Sequence, residues 1–312
     1  MPRSIEDGRP KIPNYAKFLI GGMAGVGGCI VCQPIDVIKN RMQLSGEGGK
    51  AREHKTSLHA VKNIVQSEGV LALYDGLTAN IARQLAYTMT RLGLYQITVD
   101  QLAASGITGL NSHIFSGLFA GGIAAMVATP TDVALIRMTA DGRLPAKERR
   151  NYKHVIDALI RIGKEEGAQG LWAGVGPTVL RAMVGTASQL VSYVHAKQYL
   201  LRNELMKDNL GCHFTASVIS GFFYAFITTP LDVAKTRIQN MKIINGKPEY
   251  SGMLNVWIQI LKNEGVPALW KGFGPYYFRI APNTILLFIF MEKLTKWYKI
   301  YVLKDPTAEG GL

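Results

Sequence analysis

The residues best suited to do chemistry are acids and bases that recur three times behind a proline. An aspartate lies two residues after Pro34, Pro130 and Pro230, and a lysine follows three residues later in the first and third copies. Residues three apart share one face of a helix, so the acid and the base of a copy lie on the same side. Three such helices around one axis would form a ring of ion pairs across a central path. The plainer interpretation, that the charges mark where each helix leaves a membrane, does not explain the fixed spacing.

A second set of charges consists of arginines spaced 98 residues apart, at Arg83, Arg181 and Arg279. An arginine inside a membrane costs about 2.5–3.5 kcal/mol on insertion scales, so three equivalent ones need a reason. One interpretation is that they pair with carboxylates elsewhere in the protein. Because their own helices carry almost no acids at that depth, we instead expect the charge to be left for a ligand, and a guanidinium fork matches a small dicarboxylate. Further side chains predicted to line this pocket are Tyr87, Arg91 and Asn283.

These charges belong to a repeat that organises almost the whole chain. The prolines are 96 and 100 residues apart (34 to 130 and 130 to 230), and three further landmarks recur every 98 residues. The landmarks are a Glu-Gly pair that begins at 68, 166 and 264, an aromatic-x-Gly turn that ends at Gly76, Gly174 and Gly272, and the arginines above. Four landmarks that keep one phase predict three copies of one structural unit.

Each copy is predicted to contain two membrane-spanning helices joined by a polar loop with a short amphipathic helix. Apolar stretches such as Tyr15–Cys32, near the roughly 20 residues that cross a bilayer, end at each proline. A short helix such as His59–Gln66 follows, and then a second long helix. The prediction is an all-α membrane protein with six transmembrane helices in three pseudo-threefold repeats, at 14–108, 111–205 and 211–303. A soluble six-helix bundle is the alternative.

The composition limits the classes of partner. With 35 basic and 22 acidic residues, the formal net charge of +13 suits an anionic substrate, an anionic membrane surface or nucleic acid. The chain has no zinc-finger spacing, basic zipper or RNP-like motif, so we expect no nucleic-acid partner. It also has no nucleophile triad, paired carboxylates or metal cluster, so an enzyme is not expected.

The loop charges predict an orientation. Loops inside the repeats are rich in basic residues, whereas the linker Ala104–Ser112 carries no charge. By the positive-inside rule these loops face the compartment that retains positive charge. An even number of spans then places both termini on the other side. The basic loop residues include Lys50, Arg52, Lys55, Arg143 and Lys147.

The triplicated Pro-x-Asp motif, the Glu-Gly and aromatic-x-Gly landmarks and the period together resemble the mitochondrial carrier family over residues 14–303. The resemblance implies a six-helix bundle in the inner mitochondrial membrane, with alternating access and both termini toward the intermembrane space. We expect a monomeric functional unit and no cofactor, with cardiolipin bound at the aromatic-x-Gly turns. The residues that match these lipid sites are Gly76, Gly174, Lys271 and Gly272.

In the family, each acid of the ring pairs with a base on the first helix of another repeat and so forms a matrix-side gate. The matching pairs here are Asp132 with Lys235 and Asp232 with Lys39. The third pair fails, because the partner position of Asp36 holds Leu135. Arg137 is a candidate substitute, but it points to another part of the helix face.

The family also braces each pair with a glutamine four residues after the base. Gln43 and Gln239 match this position, whereas the second repeat has Thr139. The base and its brace are thus missing together, so the resemblance implies a gate of two ion pairs.

The second helices of the family carry an aromatic-acid-x-x-base motif that forms the opposite, cytosolic gate. The matching residues are Tyr95, Gln96, Tyr193, Lys197 and Glu292. Only Lys197 and Glu292 keep their charge, and in the family's scheme these two do not pair with each other. A hydrogen bond between Gln96 and Lys197 remains, so the cytosolic gate is expected to be the weaker one.

Three stretches, at 134–145, 235–241 and 245–250, narrow the expected cargo. They resemble dicarboxylate-exchanging members of the family, which implies one-for-one exchange of 2-oxoglutarate for malate. Leu135 departs from the uncoupling proteins, which keep a base there. The alternatives are a general dicarboxylate/phosphate carrier and an uncoupling-protein-like leak of anions or protons.

Overall fold

The computed structural model describes most of the chain, and the described part is largely helical. It covers residues 5–6, 9–10, 13–46, 56–107, 109–144, 148–203, 205–206, 210–241, 243–244 and 247–303. Some of the basic loop residues that predict the orientation lie outside these ranges, namely Lys50, Arg52, Lys55 and Lys147.

Each repeat consists of two long helices with shorter helices between them. The first repeat contains α1 (Asn14–Leu44), α2 (Ser57–Glu68), a 3₁₀ helix at Val70–Tyr74 and α3 (Leu77–Ala104). The second contains α4 (Leu110–Ala140), a 3₁₀ helix at Asp141–Arg143, α5 (Val155–Glu165), α6 (Gly167–Leu171) and α7 (Val175–Arg202). The third contains α8 (Leu210–Asn240), α9 (Met253–Asn263), a 3₁₀ helix at Val266–Trp270 and α10 (Phe273–Tyr301).

Two antiparallel pairs of very short strands complete the described structure. The strand β1 (Ile5–Glu6) pairs with β2 (Arg9–Pro10), and β3 (Ile243–Ile244) pairs with β4 (Lys247–Pro248).

The six long helices are long enough to cross a membrane. Each has 28 to 31 residues, and at about 1.5 Å per residue this exceeds the roughly 30 Å of a bilayer core. Within the described residues, three spans also qualify by hydropathy, with means of 1.3, 1.5 and 1.4 at Leu19–Leu44, Ser112–Arg143 and Gly211–Asn240. The predicted architecture of three two-helix repeats is therefore confirmed.

The first helix of each repeat (α1, α4 and α8) continues through its proline instead of ending there. Pro34, Pro130 and Pro230 all lie inside these helices. A proline deprives the carbonyl four residues earlier of its helical donor. In α8 the indole Nε1 of Trp270 donates to Phe226 O at 3.1 Å and replaces that donor. The aspartates therefore lie on the same helices as the membrane-spanning segments.

The long helices pack in a ring. The second helix of each repeat packs against the first helix of the next, as α3 on α4, α7 on α8 and α10 on α1. The short helices lie at one end, which we call the loop end. Residues 13 and 303 and the linkers between repeats lie at the other end, which we call the terminal end. The second helix of each repeat thus contacts the first helix of a neighbouring repeat.

A left-handed glycine starts each second helix. Gly76, Gly174 and Gly272 have φ values of 74°, 71° and 83°, a conformation that residues with a side chain rarely adopt. These glycines also lie close to a neighbouring repeat, since a Cβ atom on Gly272 would lie 3.1 Å from Gln43 Cγ. The aromatic-x-Gly turn is thus a point of contact between repeats.

Candidate functional site

Three aspartates from the first helices lie inside the bundle near its loop end, and two of them bind lysines. Lys39 Nζ lies 2.8 Å from Asp232 Oδ2, and Lys235 Nζ lies 2.8 Å from Asp132 Oδ2. Each contact joins two repeats, because Lys39 and Lys235 reach from α1 to α8 and from α8 to α4. The three aspartates, Asp36, Asp132 and Asp232, are 5%, 5% and 3% exposed.

The three equivalent arginines also bind these aspartates. Arg279 Nη1 lies 2.7 Å from Asp36 Oδ1, and Arg83 Nε lies 3.6 Å from Asp132 Oδ1. The third arginine contacts the third aspartate in the same way, as Arg181 with Asp232. The expectation that these arginines lack carboxylate partners is wrong for this conformation. The acids come from the first helix of the next repeat, against which each arginine-bearing helix packs.

The gate is therefore not simply a set of two ion pairs. The position expected to pair with Asp36 holds Leu135 instead of a lysine, but Arg279 supplies a cation from α10. The cluster contains three aspartates, three arginines and two lysines. Its positive charges outnumber its carboxylates by two, and this excess favours an added anion. Arg137, the candidate substitute, binds Glu166 instead.

The two glutamines expected to brace the lysine pairs bind threonines instead. Gln43 Oε1 accepts a hydrogen bond from Thr236 Oγ1 at 2.7 Å, and Gln239 Nε2 donates to Thr178 Oγ1 at 3.3 Å. They lie one turn after each lysine, and each of these hydrogen bonds joins the glutamine to a helix of a neighbouring repeat.

A buried tyrosine, which the sequence analysis missed, contacts both cations around Asp232. Lys39 Nζ lies 3.9 Å from the centroid of the Tyr276 ring, and the Tyr276 hydroxyl accepts a hydrogen bond from Arg181 Nη2 at 2.8 Å. The side chain is aromatic and only 4% exposed, so it holds both cations in a dry environment. Its position, 98 residues after Thr178, was the available signal.

A second ring of arginines, nearer the loop end, ties the repeats together. Each arginine binds the glutamate of its own Glu-Gly pair through two bonds, the Nη2–Oε2 distances being 2.9, 2.8 and 3.0 Å for Arg41–Glu68, Arg137–Glu166 and Arg237–Glu264. Each Nε also donates to a backbone carbonyl of another repeat: Arg41 to Thr139, Arg137 to Gln239 and Arg237 to Gln43. The Glu-Gly landmark thus marks a clamp between repeats.

A cavity of about 410 Å³ lies on the terminal side of the aspartates. Its lining includes Tyr87, Arg91, Tyr95, Arg181, Thr186, Gln189 and Tyr224. The Arg91 guanidinium lies 5.9 Å from the Tyr87 ring centroid, and within the described ranges it meets no carboxylate. Arg91 is therefore the cation that this conformation leaves ready for an anion, while Arg181 lies between the cavity and Asp232. Asn283 lies elsewhere, with its Oδ1 beside Gly28.

The predicted contact between Gln96 and Lys197 does not form. Gln96 Nε2 donates to Asp100 Oδ1 on its own helix at 3.1 Å, and Lys197 Nζ lies 3.5 Å from His213 Nε2. Glu292 is exposed, and in the part of the chain that the structure describes it forms no salt bridge. Each of these two side chains thus has a partner on its own helix or on the helix that follows.

Two tyrosines of the predicted cytosolic gate instead bind histidines of the following helix. Tyr95 Oη lies 3.0 Å from His113 Nδ1, and Tyr193 Oη lies 2.6 Å from His213 Nδ1. The spacing of these pairs follows the repeat, since 95 to 193 is 98 residues and 113 to 213 is 100. The structure therefore shows a histidine partner for each of these tyrosines, which the sequence motif did not indicate.

The charge around the predicted lipid-binding positions differs between the repeats. At Gly272 a cavity of about 530 Å³ is lined by Thr56, Ser57, Trp270 and Lys271. Lys271 Nζ also donates to Ser45 O at 2.7 Å and pairs with Glu264. At Gly76 the neighbouring cavity of about 550 Å³ is lined by three carboxylates, Glu68, Asp75 and Asp141, and by one cation, Arg149. The charge at Gly272 suits an anionic headgroup better than the charge at Gly76.

Burial and hydrogen bonds shift the pKa values of two carboxyl groups near these turns in opposite directions. Burial raises the pKa of Asp75 above its ordinary value. Burial acts in the same direction on Glu264, but hydrogen bonds from Arg237 and Lys271 outweigh it and lower that pKa. Glu264 therefore stays charged and holds Lys271 in place. Within the described ranges, no cluster of His, Cys, Asp and Glu suits a metal ion.

The sequence of the chain is similar to those of known membrane transporters of mitochondria. The chain matches the family described as "Mitochondrial carrier protein" three times, at residues 10–105, 108–204 and 207–301. It is 51% identical over 296 residues to the mitochondrial 2-oxoglutarate/malate carrier protein of Mus musculus, which covers 94% of each chain. The protein of that name from Caenorhabditis elegans is 51% identical over 299 residues, 95% of this chain and 97% of the relative. Mitochondrial uncoupling protein 5 of Arabidopsis thaliana is 39% identical over 307 residues, 91% and 98% of the two chains.

Proposed function

The chain belongs to the mitochondrial carrier family, and from that premise we propose that it exchanges 2-oxoglutarate for malate by alternating access. It is a multi-pass protein of the inner mitochondrial membrane and a transporter, not an enzyme. Relatives that carry the name 2-oxoglutarate/malate carrier share about half of its residues over nearly its full length. In this exchange the arginines bind the substrate and the aspartates compete with it for them.

The observation that carries the proposal is the position of the arginines between the cavity and the aspartates. Arg181 lines the cavity and at the same time binds Asp232. Arg91 lies in the same cavity without a carboxylate partner among the described residues. A dicarboxylate has one carboxylate for Arg91 and a second that competes with Asp232 for Arg181. A substrate carboxylate offers Arg181 the same kind of charged oxygen that Asp232 offers, and its two oxygens also allow a bidentate contact.

The exchange of partners explains how a bound substrate loosens the loop end. Once a substrate carboxylate takes Arg181, Asp232 loses one of its two cations and keeps only Lys39. A ligand shifts a conformational equilibrium only by its difference in affinity for the two states. The substrate therefore favours opening because it replaces a contact that opening must break. Without substrate, opening would leave arginines and aspartates unpaired in a poorly hydrated interior, so one-for-one exchange follows.

We assign the loop end to the matrix and both termini to the intermembrane space. The intra-repeat loops carry the basic excess, and the described part of the second loop alone contains Arg143, Arg149, Arg150 and Lys153. Positive loops are retained on the side that does not translocate. Protease digestion of mitoplasts tests the orientation, because a tag at either terminus should be removed while the intra-repeat loops stay protected.

We also propose that cardiolipin binds at the aromatic-x-Gly turns, first at Gly272. The α10 N-terminus and Lys271 favour a phosphate, and the adjoining cavity is large enough for a headgroup. Cardiolipin added to delipidated carrier should raise its melting temperature more than phosphatidylcholine does. We further propose a monomeric functional unit, because the cavity lies within one six-helix bundle.

The experiment that tests the substrate assignment is uptake of labelled 2-oxoglutarate into liposomes that contain the purified protein. We expect uptake when malate is inside and background uptake when the liposomes are empty. Uptake driven by internal phosphate would instead assign a general dicarboxylate/phosphate carrier. Flux into empty liposomes would assign a leak of the uncoupling-protein type and contradict the proposed exchange.

A further inference from the structure

The gate cluster lacks one link between repeats. Lys39 joins α1 to α8 and Lys235 joins α8 to α4, so a lysine at position 135 would join α4 to α1. Position 135 holds Leu135, which is buried and packs among apolar residues such as Ala79. Arg279 neutralises Asp36 but comes from α10 and so does not connect α1 with α4. Nearer the loop end, Arg41 Nε and Asn40 Nδ2 of α1 already bond to Thr139 of α4, at 3.0 and 3.3 Å. At the level of the aspartates, some other group must join these two helices if the ring of charges is to close.

Asn80 on α3 lies at this gap and is fully buried, with 0% of its surface exposed. Its Nδ2 donates to Asp36 Oδ2 at 3.2 Å and to Gln33 Oε1 at 2.7 Å. Its Oδ1 accepts from Arg83 Nε and Arg83 Nη2, both at 3.4 Å. A side-chain amide offers two donor hydrogens and two lone pairs, and all of them have a partner here.

These contacts form a continuous path across the gap. Arg83 Nε, which bonds to Asn80, lies 3.6 Å from Asp132 Oδ1 on α4. The path therefore runs from Asp36 on α1 through Asn80 and Arg83 to Asp132 on α4. These are the two helices that a lysine at position 135 would have joined.

Gln33 fixes the orientation of the Asn80 amide. Gln33 Nε2 donates to Asp75 O at 2.7 Å, which leaves Gln33 Oε1 as the acceptor for Asn80. The amide nitrogen of Asn80 must then face Asp36, and its oxygen must face Arg83. The repeat-equivalent residues of the other two repeats, Thr178 and Tyr276, bind Gln239 and the two cations around Asp232. An amide in this position is a feature of the first repeat.

We propose that Asn80 is the positioning residue that closes the loop-end gate where the third lysine is absent. It acts through Asp36 and Arg83, and its role in transport rests on the proposed exchange function. Because the amide is neutral, it adds a link between α1 and α4 without adding a third lysine charge. The gate then opens by breaking hydrogen bonds at this position instead of an ion pair.

A double-mutant cycle with Asn80→Leu and Leu135→Lys tests the proposal, because both residues would serve the same carboxylate. Leucine matches the size of asparagine and removes every polar contact. Thr129→Val is the control, since Thr129 is buried in α4 and, among the described residues, its Oγ1 bonds within its own helix, to Ala125 O at 2.7 Å. The readouts are the melting temperature without substrate and malate-dependent exchange in liposomes.

We expect Asn80→Leu to lower the melting temperature by about 2–6 °C and Leu135→Lys to recover most of this loss in the double variant. Exchange by Asn80→Leu should rise by about threefold, because a weaker closed state opens more readily, and should return with Leu135→Lys. Additive effects of the two substitutions, or an Asn80→Leu protein as stable as the Thr129→Val control, would overturn the proposal.

The two readouts separate this inference from the proposed function. Coupled melting temperatures with no exchange by the unmodified protein would reject the exchange function and keep the role of Asn80. Normal exchange by the unmodified protein, with additive changes in melting temperature, would keep the exchange function and reject the role of Asn80. If Asn80→Leu fails to fold, Asn80→Thr replaces it in the same cycle, because the second repeat carries threonine at the equivalent position 178.

Discussion

The two ends of the bundle hold their charged residues in opposite ways. At the loop end, residues 36–45 are all buried although they include Asp36, Lys39 and Arg41. At the terminal end, Arg91, Gln96 and Glu292 are exposed, and Gln96 bonds within its own helix. One end is a closed network of charges that crosses every repeat boundary, and the other is open and sparsely linked.

This difference indicates that the barrier to transport lies at the loop end. Buried charges are costly to separate, because each is left in a poorly hydrated interior without its partner. The loop end can therefore open only when another anion compensates the arginines. The terminal end has few contacts to break, and few to form when it closes in turn. We expect the carrier without substrate to rest closed at the loop end and open at the terminal end.

The largest effect is expected at the loop end from Arg279→Ala. Within the described ranges Arg279 is the cation that contacts Asp36, so its loss leaves a buried carboxylate without a counter-ion. We expect a loss of about 3–5 kcal/mol in stability, visible as a lower melting temperature, and no exchange. Asp36→Asn in the same protein should restore the melting temperature but not exchange. A stable single variant would show that the loop end does not depend on paired charge.

In the terminal half, Arg91→Leu should separate function from stability. The guanidinium has no carboxylate partner among the described residues, so its removal should change the melting temperature little. Exchange should fall by at least about 30-fold, equivalent to roughly 2 kcal/mol of a charge-assisted contact to substrate. Arg202→Leu, at the exposed C-terminal end of α7, is the matched control. If Arg91→Leu were strongly destabilised, the contrast between a structural end and a ligand-binding half would fail.

A smaller effect is expected from Gly272→Ala, which tests the contact between repeats at the loop end without changing charge. Gly272 has φ of 83°, and an added Cβ would lie 3.3 Å from Lys39 O. Alanine should cost about 1–2 kcal/mol in stability because of this left-handed conformation. The control is Gly274→Ala, where the nearest atom, Ser57 Oγ, would be 4.0 Å away. Equal melting temperatures of the two variants would contradict a tight contact at Gly272.

The smallest effect is expected at the terminal end from Tyr193→Phe. The substitution removes the contact between Tyr193 Oη and His213 Nδ1 and leaves the ring in place. The stability should change by less than about 1 kcal/mol, and initial exchange rates should stay within about twofold. Thermal unfolding and liposome uptake measure both. A loss as large as that of Arg279→Ala would mean that the terminal end is as firmly built as the loop end.

The repeat pattern allowed the fold and part of the gate to be predicted. The Pro-x-Asp motif, which recurs after 96 and 100 residues, assigns Lys39, Lys235 and the three aspartates to equivalent positions, and the family resemblance indicates which first helices they join. The partners of Arg83, Arg181 and Arg279 were not predictable in this way. Spacing shows which residues share a helix face, but not the depth at which neighbouring helices cross, and that depth brings Arg279 opposite Asp36.

Asn80 and Tyr276 escaped prediction for a related reason. Their polar groups act where the repeats differ, and a comparison of equivalent positions favours what the repeats share. Asn80, Thr178 and Tyr276 occupy one position of the repeat with three different side chains. Only the contacts in the folded protein show that each serves the nearest charges or the glutamine of a neighbouring repeat.

In the proposed mechanism, a dicarboxylate opens the loop end because it takes arginines away from the buried aspartates. Amide hydrogen exchange of the carrier in lipid nanodiscs, with and without saturating 2-oxoglutarate, tests it most directly at residues 132–140 and 231–239. A monocarboxylate such as 2-oxobutyrate serves as the comparison ligand. We expect faster amide hydrogen exchange in both segments with 2-oxoglutarate and no change with the monocarboxylate. Unchanged or slower exchange with 2-oxoglutarate would contradict it.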